Sequence, residues 1–528
     1  LYTLLSGSGV PAQRTVWTLA IMSVLRMIGR AWPWPLVWLL CATLVTAWEP
    51  VAMMQAGFWL SFVAVAVLMA ASDGSTQPGA PVEAAASSQH GAWHGAVMPL
   101  MSSLRDETLA LWRTQRLVSL SLMPLSLVCF QQVSLVGMLA NLVAVPVFGA
   151  LITPLALVGM VAPWAWDVAA ACISLAFDGL QWLSGWRMAV WSTPSPPLWV
   201  AIMAVLASLA LVLPGHWRWR GLALPFLVPL FCLPEPWRVL PQPLHGQFAV
   251  MAMDVGQGTA VLVRTAHHQL LFDTGAKLPV GGDMGVRVVL PVLQALGVRS
   301  LDTLVVSHQD NDHVGGAQSV VERLPVALLR SSLPLDHPLL QRQAYAAESG
   351  RPLPHHPCVA GQTWAWDGVR FEVVHPTQAD LDHRQALSTN ALSCVVHVLA
   401  DHDGRSLLLT GDIEAPQEQA LLARSGPGAL HSTIMVVPHH GSSTSSTSAF
   451  LAAVKPEVAV IQAGRRNRYG HPSPSVTARY EALGASTDIT PTCGAWLWQS
   501  DGSWGRGKCW RQWHRRLWDD TDQADEAP

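Results

Sequence analysis

Lysine is absent from the first 240 of 528 residues, which hold only 10 Arg and 8 acidic residues. That is too little charge for a water-facing surface of this length. Over the whole chain charged residues reach 13%, against the roughly 25% usual in soluble domains. A basic excess is lacking too. The net charge is −3, divided as +2 before and −5 after residue 240, which excludes a nucleic-acid-binding coat over the whole surface and leaves only local contacts. The 8 Cys include no CxxC pair and no regular spacing, so neither a zinc ribbon nor a disulfide framework is expected. Cys41, Cys129, Cys172 and Cys232 lie in apolar runs and read as small core residues, leaving the redox compartment open. No basic segment leading into a short apolar core and cleavage site opens the chain. It begins Leu1-Tyr2 and reads as N-terminally incomplete.

What the first half does have is apolar runs, at 16–29, 34–48, 57–71, 117–130, 133–162, 168–186, 198–213 and 221–234. A span of about 20 mainly apolar residues crosses a bilayer, so residues 1–235 are expected to form a polytopic α-helical membrane domain, with a large buried helical core as the alternative. Of the 25 Trp, 17 fall before residue 240, several at run ends beside Pro or Arg (Trp32, Trp34, Trp48, Trp164, Trp166), where an interfacial aromatic belt belongs. Pro146 and Pro154 predict that the 133–162 run breaks into two segments, because lipid cannot replace the donors that Pro removes. That broken run, with Asn141 and Gln131-Gln132, is the candidate lining of a polar path. Residues 72–100, rich in Ala, Ser, Gly and Pro, read as a loop. The 104–117 stretch, carrying Arg105, Arg113 and Arg116, reads as a surface-lying amphipathic helix or an ordinary juxtamembrane segment.

Pro234, Pro236, Pro241 and Pro243 mark a linker, bounded at 236–246, of the semi-rigid Pro-rich kind. Beyond it the texture changes. Segments 248–255, 260–264, 269–272 and 301–307 read as strands, the last feeding into His308-Gln309-Asp310-Asn311-Asp312-His313, followed by Val314-Gly315-Gly316. Four potential ligands within six residues after a strand, with two glycines that let the backbone turn close to them, suit a borderline divalent ion such as zinc or manganese. Two further apolar strands end in ligand-type residues: 407–410 in Gly411-Asp412 and 434–438 in His439-His440-Gly441. His267-His268 and His355-His356 look like surface pairs. The acidic end of the chain, 511–528, reads as a disordered tail.

The spacing His308-x-Asp310-x-Asp312-His313, preceded by Asp254-Val255-Gly256-Gln257-Gly258 and Phe272-Asp273-Thr274-Gly275, resembles the metallo-β-lactamase superfamily. More narrowly it resembles the domain that ends the ComEC family of DNA-uptake channel proteins, whose further motifs are similar to Gly411-Asp412-Ile413-Glu414, His439-His440-Gly441-Ser442 and Asn467-Arg468-Tyr469-Gly470-His471-Pro472. In the first half Val10-Pro11-Ala12-Gln13-Arg14, Gly57-Phe58-Trp59-Leu60-Ser61-Phe62 and Asn141-Leu142-Val143-Ala144-Val145-Pro146 resemble that family's competence region. The resemblance covers the chain to about residue 510 and implies an α/β metallo-β-lactamase-like αββα sandwich over 247–510. Family members usually carry an upstream nucleic-acid-binding β-barrel and extra membrane helices, to which nothing here corresponds. Two departures concern the site. Asp310 stands where the superfamily has His, which hardens the donor set and shifts preference away from zinc toward manganese or magnesium, and Asn390 occupies roughly the place of another His.

The resemblance implies two divalent metal ions, manganese or zinc. His308 and Asp310, with an unassigned third group, are expected on one, Asp312 and His440 on the other, His313 within the cluster and Asp412 bridging. Asp312 counts as catalytic as well as ligating. Asp273, Asn390 and His439 are expected to orient the ligands from behind, although Asp273 also reads as a turn residue. His471 is a candidate general acid or a structural His in a Gly-His-Pro turn. Arg465, Arg466 and Arg468 beside Tyr469 could hold phosphate and stack on a base, or form a solvated face. The function implied is DNA uptake across the bacterial inner membrane in natural transformation, with metal-dependent hydrolysis of the strand not imported. Its expected partners are single- or double-stranded DNA, the membrane, and the DNA-receptor and translocation proteins of the competence machinery. A non-catalytic DNA guide with structural metal, or a tethered hydrolase of small phosphates or esters, are the competing readings.

Overall fold

A computed structural model describes residues 10–29, 32–73, 97–186, 189–212, 221–231, 242–279, 281–341, 353–401 and 403–513. The chain divides into two compact units, Leu1–Val239 and Leu240–Pro528. The expected loop at 72–100, Cys232, the linker prolines through Pro241 and the acidic tail beyond residue 513 lie wholly or mostly outside the described residues.

The first unit is helical because its sequence is Leu-, Ala- and Trp-rich over long stretches. Helices Val10–Met27, Trp34–Trp48 and Ala56–Asp73 share a cluster formed by Ile21, Leu25, Val37, Cys41, Val45, Phe58 and Phe62. Helix Val97–Phe130 runs straight through the stretch expected as a separate amphipathic helix. Through Leu127 it packs on Ala204 and Ala207 of helix Leu198–Val212, and on Leu230. A short antiparallel pair, β1 (Gln132–Ser134) and β2 (Val190–Ser192), ties two connections together.

The run containing Pro146 and Pro154 does not break. Gly137–Pro146, a π turn at Val147–Ile152 and Thr153–Val158 follow one another with helical dihedrals throughout. The wider turn accommodates the donors missing at the two prolines, and Thr153 Oγ1 donates to the Phe148 carbonyl at 2.7 Å. Gly137–Val158 is the one stretch among the described residues long and apolar enough to cross a membrane, and almost none of it is buried inside the unit. Trp34–Trp48, Ala56–Ala70 and Leu198–Leu211 are equally apolar in character but shorter.

The second unit consists of two sheets back to back. One is formed by β3 Ala249–Ala252, β4 Val261–Arg264, β5 Gln269–Phe272, β6 Thr303–Val306, β7 Leu329–Ser331, β8 His355–Pro357, β16 Trp496–Gln499 and β17 Lys508–Cys509, in the order β17-β16-β3-β4-β5-β6-β7-β8. The other is formed by β9 Thr363–Trp366, β10 Val369–His375, β11 Val395–Ala400, β12 Ser406–Leu409, β13 Ile434–Val436, β14 Val458–Ile461 and β15 Ser486–Ile489, in the order β15-β14-β13-β12-β11-β10-β9. Each sheet is antiparallel in one part and parallel in the other. Strand alternation sends Val250, Val263, Phe272, Val305, Phe371, Val396, Leu409 and Val436 into the interface between the sheets. Their neighbours Leu262, Leu271, Leu304 and Val306 face helices Leu290–Ala295 and Ala317–Arg323. Leu408, Met435 and Ala459 likewise face Leu421, Phe450 and Tyr480 on helices of the far side. This is the expected αββα sandwich, with three buried layers of side chains.

The cysteines correct the sequence reading. Cys358–Cys394 and Cys493–Cys509 form disulfides, 36 and 16 residues apart in sequence. Their partners meet only because strand pairing folds distant segments together, which spacing does not reveal. Cys129 and Cys172 are free and half-buried, and Cys41 is buried.

Candidate metal centre

Strands β5, β6, β12 and β13 all end at one edge of the sandwich, and each terminus hands over a polar residue: Asp273 after β5, Ser307-His308 after β6, Asp412 after β12 and His439-His440 after β13. The loop after β6 turns into the single helical turn Asn311–Val314, which carries Asp312 and His313 back beneath it. The glycines that follow serve close approach rather than turning. A Cβ on Gly315 would lie 2.1 Å from the Lys277 backbone nitrogen, and one on Gly258 would lie 2.4 Å from the Asp312 carbonyl oxygen. His439 and His440 both adopt left-handed φ, 52° and 55°. Two adjacent residues in that region cost of order 1–3 kcal/mol each, so the surrounding structure must hold them there.

Three imidazoles converge on Asp412. His313 donates from Nδ1 to Asp273 Oδ2 at 2.7 Å, and its Nε2 lies 3.1 Å from Asp412 Oδ1. His440 donates from Nδ1 to the Gln462 carbonyl at 2.7 Å, and its Nε2 lies 3.5 Å from Asp412 Oδ2 and 3.3 Å from Asp312 Oδ2. His308 Nδ1 lies 3.0 Å from Ser307 Oγ and 3.3 Å from Ser393 Oγ, while its Nε2 is buried without a hydrogen-bond partner. In a neutral ring with Nδ1 as donor, Nε2 is a bare lone pair. Yet His313 Nε2 and His440 Nε2 face each other at 3.2 Å, a contact that only a proton or a cation between them makes favourable. Ligand atoms of His308, His313 and Asp412, and those of Asp312, His313 and His440, form two overlapping groups of metal-site dimensions. This His/Asp cluster fits divalent metal binding, and His313 belongs to both groups.

The electrostatics say the same. Burial opposes charge on all these groups, but Asp412 and Asp273 outweigh it at His313 and hold that imidazole well above the usual histidine range. At Asp412 burial is overcome by His313 and His440, which keep the carboxyl well below its ordinary value. Asp312 is lowered to about 2, burial again being outweighed, here by the contact with His440 and the charge of His313. His308, by contrast, is driven down to about 4 by burial and by His313. A pocket that traps a proton on one imidazole and bares the lone pair of the next is arranged for cations.

Of the remaining residues singled out in sequence, Asp273 is fully buried and accepts three bonds, from the Ser307 amide at 2.7 Å, Ser307 Oγ at 2.6 Å and His313. Asp310 sits at the rim, its side chain 41% exposed and 3.8 Å from His308 Nε2. Asn390 Nδ2 lies 3.5 Å from His439 Nε2, and its Oδ1 is buried without a hydrogen-bond partner. His439 lies between Asp412 Oδ2 at 3.9 Å and Glu414 Oε1 at 3.2 Å. His471 stacks between His440 and Tyr469, with ring centroids 6.5 and 5.6 Å away. Burial and the neighbouring His439 and His440 lower its pKa. Arg465, Arg466, Arg468 and Tyr469 are exposed, with Arg468 over the Tyr469 ring. Asn467 pins this loop through Gly464, Tyr469 and His471. The sequence reading missed Ser307, Ser393 and Gln462. Each is an ordinary polar residue whose importance lies in its partner, and adjacency to His308 was the only signal for Ser307. The surface His pairs take structural contacts: His267 and His268 meet Asp367 at 3.0 and 3.1 Å, and His355 meets Ser331.

The strand order and the cluster at one sheet edge define a metallohydrolase domain, and residues 253–465 match the metallo-beta-lactamase superfamily. Residues 1–218 match the competence protein family. Competence protein ComA of Neisseria gonorrhoeae is 36% identical over 94% of this chain and 62% of its own length. The uncharacterized protein YcaI of Escherichia coli is 31% identical over 93% and 59%, and Recombination protein 2 of Haemophilus influenzae 27% over 94% and 61%. Among solved structures, the metallo-beta-lactamase fold protein YhfI of Bacillus subtilis aligns with 47% of this chain and 99% of its own, at 10% identity and a TM-score of 0.31. The chain is similar to ComEC-type competence proteins along most of its length, with a competence-protein region in its N-terminal half and a metallo-beta-lactamase domain in its C-terminal half. It spans about three fifths of the length of these curated relatives.

Proposed function

We propose that this chain acts in DNA uptake across the bacterial inner membrane, as a multi-pass protein. Residues 1–235 help form a path for single-stranded DNA, and the domain over 247–510 hydrolyses phosphodiester bonds of the strand that is not imported. The observation that carries the hydrolytic reading is the set of three imidazoles with Nδ1 engaged and Nε2 turned to Asp412 or left bare, beside Asp312. The competence match of residues 1–218 supports the uptake reading, and the apolar helices support the multi-pass one. Disulfides persist in oxidising compartments, so the pairs at Cys358–Cys394 and Cys493–Cys509 favour a second unit facing the outer side of that membrane. The DNA-receptor and translocation proteins of the competence machinery are its partners.

His308, His313, His440, Asp312 and Asp412 would hold two divalent ions, manganese or zinc, with Asp310 as an oxygen donor beside His308 and Asn390 Oδ1 as one beside His439. When bound, the ions would activate a water and neutralise charge on the phosphodiester. Asp273 and the Gln462 carbonyl fix the rings of His313 and His440, so the donor set is preorganised. His471, outside the cluster and next to Tyr469, hands a proton to the leaving oxygen. Arg465, Arg466 and Arg468 hold the phosphate backbone and Tyr469 stacks on a base.

The test uses the full chain in detergent with labelled DNA and manganese, zinc or chelator. Cleavage is expected with manganese above zinc, since Asp310 and Asn390 supply oxygen where imidazole nitrogen is usual. Asp312→Ala and His313→Ala should abolish cleavage with unchanged circular dichroism. Full activity in both variants would overturn the assignment, and clearly superior zinc would count against the oxygen-donor argument.

A further inference from the structure

Beside His308 a cavity of about 180 Å³ opens between the loop after β6 and the connection from β10 to β11. Its lining includes His308, Gln309, Ser332, Arg384, Leu387 and Leu392. Arg384 is the one cationic residue of that lining apart from the histidine. It begins the short turn Arg384–Ala386, just after the helical turn Gln378–Asp382 whose capping box is closed by Thr377 and Asp380. Its Nε reaches the Leu381 carbonyl at 3.4 Å. Among the described residues no carboxylate pairs with Arg384, so its terminal nitrogens keep their donors for a ligand. None of the motifs that mark the metal cluster includes this segment.

The chemistry of the walls is mixed in a specific way. A guanidinium matches the paired oxygens of a phosphate, the exposed Gln309 amide suits sugar or base edges, the Ser332 hydroxyl donates to the Ser307 carbonyl and is left only as an acceptor, and Leu387 and Leu392 give an apolar face. The volume, about 180 Å³, is below the roughly 300 Å³ at which pockets for drug-sized ligands begin, so it encloses only part of one nucleotide, a phosphate with its sugar or a base, and not a base pair. Rings lead from it in succession across the cluster: His308 to His313 at 4.2 Å, His313 to His440 at 5.1 Å, His440 to His471 at 6.5 Å, His471 to Tyr469 at 5.6 Å. His308 in the cavity wall and Tyr469 are thus the first and last rings of this succession, with His313 and His440 of the ligand cluster between them.

We propose that this cavity is a subsite for one unpaired nucleotide, in which Arg384 holds the phosphate next to the scissile one. The substrate is then a single-stranded polynucleotide threaded from the Arg384 cavity over the metal cluster to Tyr469. The inference rests on the phosphodiesterase reading above. Arg384 touches substrate but not the reacting atoms, so its loss removes binding common to ground and transition states, which raises KM and spares kcat.

The test compares wild type, Arg384→Ala and Arg384→Lys as full chains. Binding of a fluorescein-labelled 12-nucleotide oligothymidylate is followed by anisotropy in chelator, and its cleavage is followed in manganese. Arg384→Ala should weaken binding and raise KM by about tenfold or more, the worth of a hydrogen bond to a charged group. Arg384→Lys should regain part of that loss, with equal metal content in all three proteins. Unchanged binding and KM would overturn the subsite, and so would loss of kcat together with metal content, which would make Arg384 a structural residue. A wild type that binds the oligonucleotide but never cleaves it would sink the nuclease reading, while the anisotropy comparison still decides the role of Arg384.

Discussion

His313 is bound on both sides by carboxylates, Asp273 at Nδ1 and Asp412 at Nε2, and its geometry depends on the first. Asp273→Asn keeps the shape but not the acceptor charge, and such outlying partners of metal ligands are typically worth about 10–100-fold in metal affinity. Manganese titration by calorimetry should show that loss without unfolding, and unchanged affinity would remove Asp273 from the site. A second prediction concerns His397 in the middle of β11, outside the ligand cluster. Burial drives its imidazole down to about 4, against about 6.5 in an unfolded chain. Between those values the unfolded chain takes up a proton that the folded one refuses. Stability is therefore complete above pH 6.5 and falls as the pH drops, by up to about 1.4 kcal/mol per unit. Urea unfolding at pH 7 and pH 5 should show a smaller difference in His397→Gln than in wild type. At this scale His308, Asp312 and His313 are legible because six consecutive residues carry them. Ser393 and Gln462 are not, because a serine or glutamine acquires meaning only from the imidazole or backbone it reaches.

Strand ends are the elements that build the site. The strands ending near Phe272, Val306, Leu409 and Val436 were readable from short apolar runs that stop at polar residues, and the structure places all four stops at one edge. Two element-level expectations failed for physical reasons. The run through Pro146 and Pro154 stays helical because a π turn between the prolines accommodates their missing donors, and local rules that treat each Pro alone do not anticipate it. The disulfides joined cysteines whose separation in sequence carries no periodicity. Closing loops of 36 and 16 residues should contribute about 3–4 kcal/mol each in the chain-entropy view. Replacing Cys358 and Cys394 together by Ser should lower the thermal midpoint of the second unit. A midpoint equal to wild type, with or without reductant, would show that the bond adds nothing.

For the whole molecule, the Pro-rich linker separates a charge-poor half from a charge-bearing one, and the two-unit division falls within it. If import and strand degradation are coupled, the linker's stiffness matters. A flexible Gly/Ser insertion of about 30 residues there, made in an otherwise complete protein, should leave cleavage intact and lower DNA uptake in a transformation assay. Unchanged uptake would mean that the halves need no fixed geometry. The sequence by itself determined the division into two units, the helical nature of the first, the strand ends and the ligand-rich loop, because charge density, hydrophobic period and close spacing are local quantities. Only the tertiary structure decided that His308 keeps company with His313 and Asp412 while Asp310 stays at the rim, that the imidazoles turn their bare nitrogens toward one carboxylate, and that Arg384 comes to stand beside them. Those relations join residues tens to more than a hundred positions apart, and no local pattern encodes which strand ends will meet.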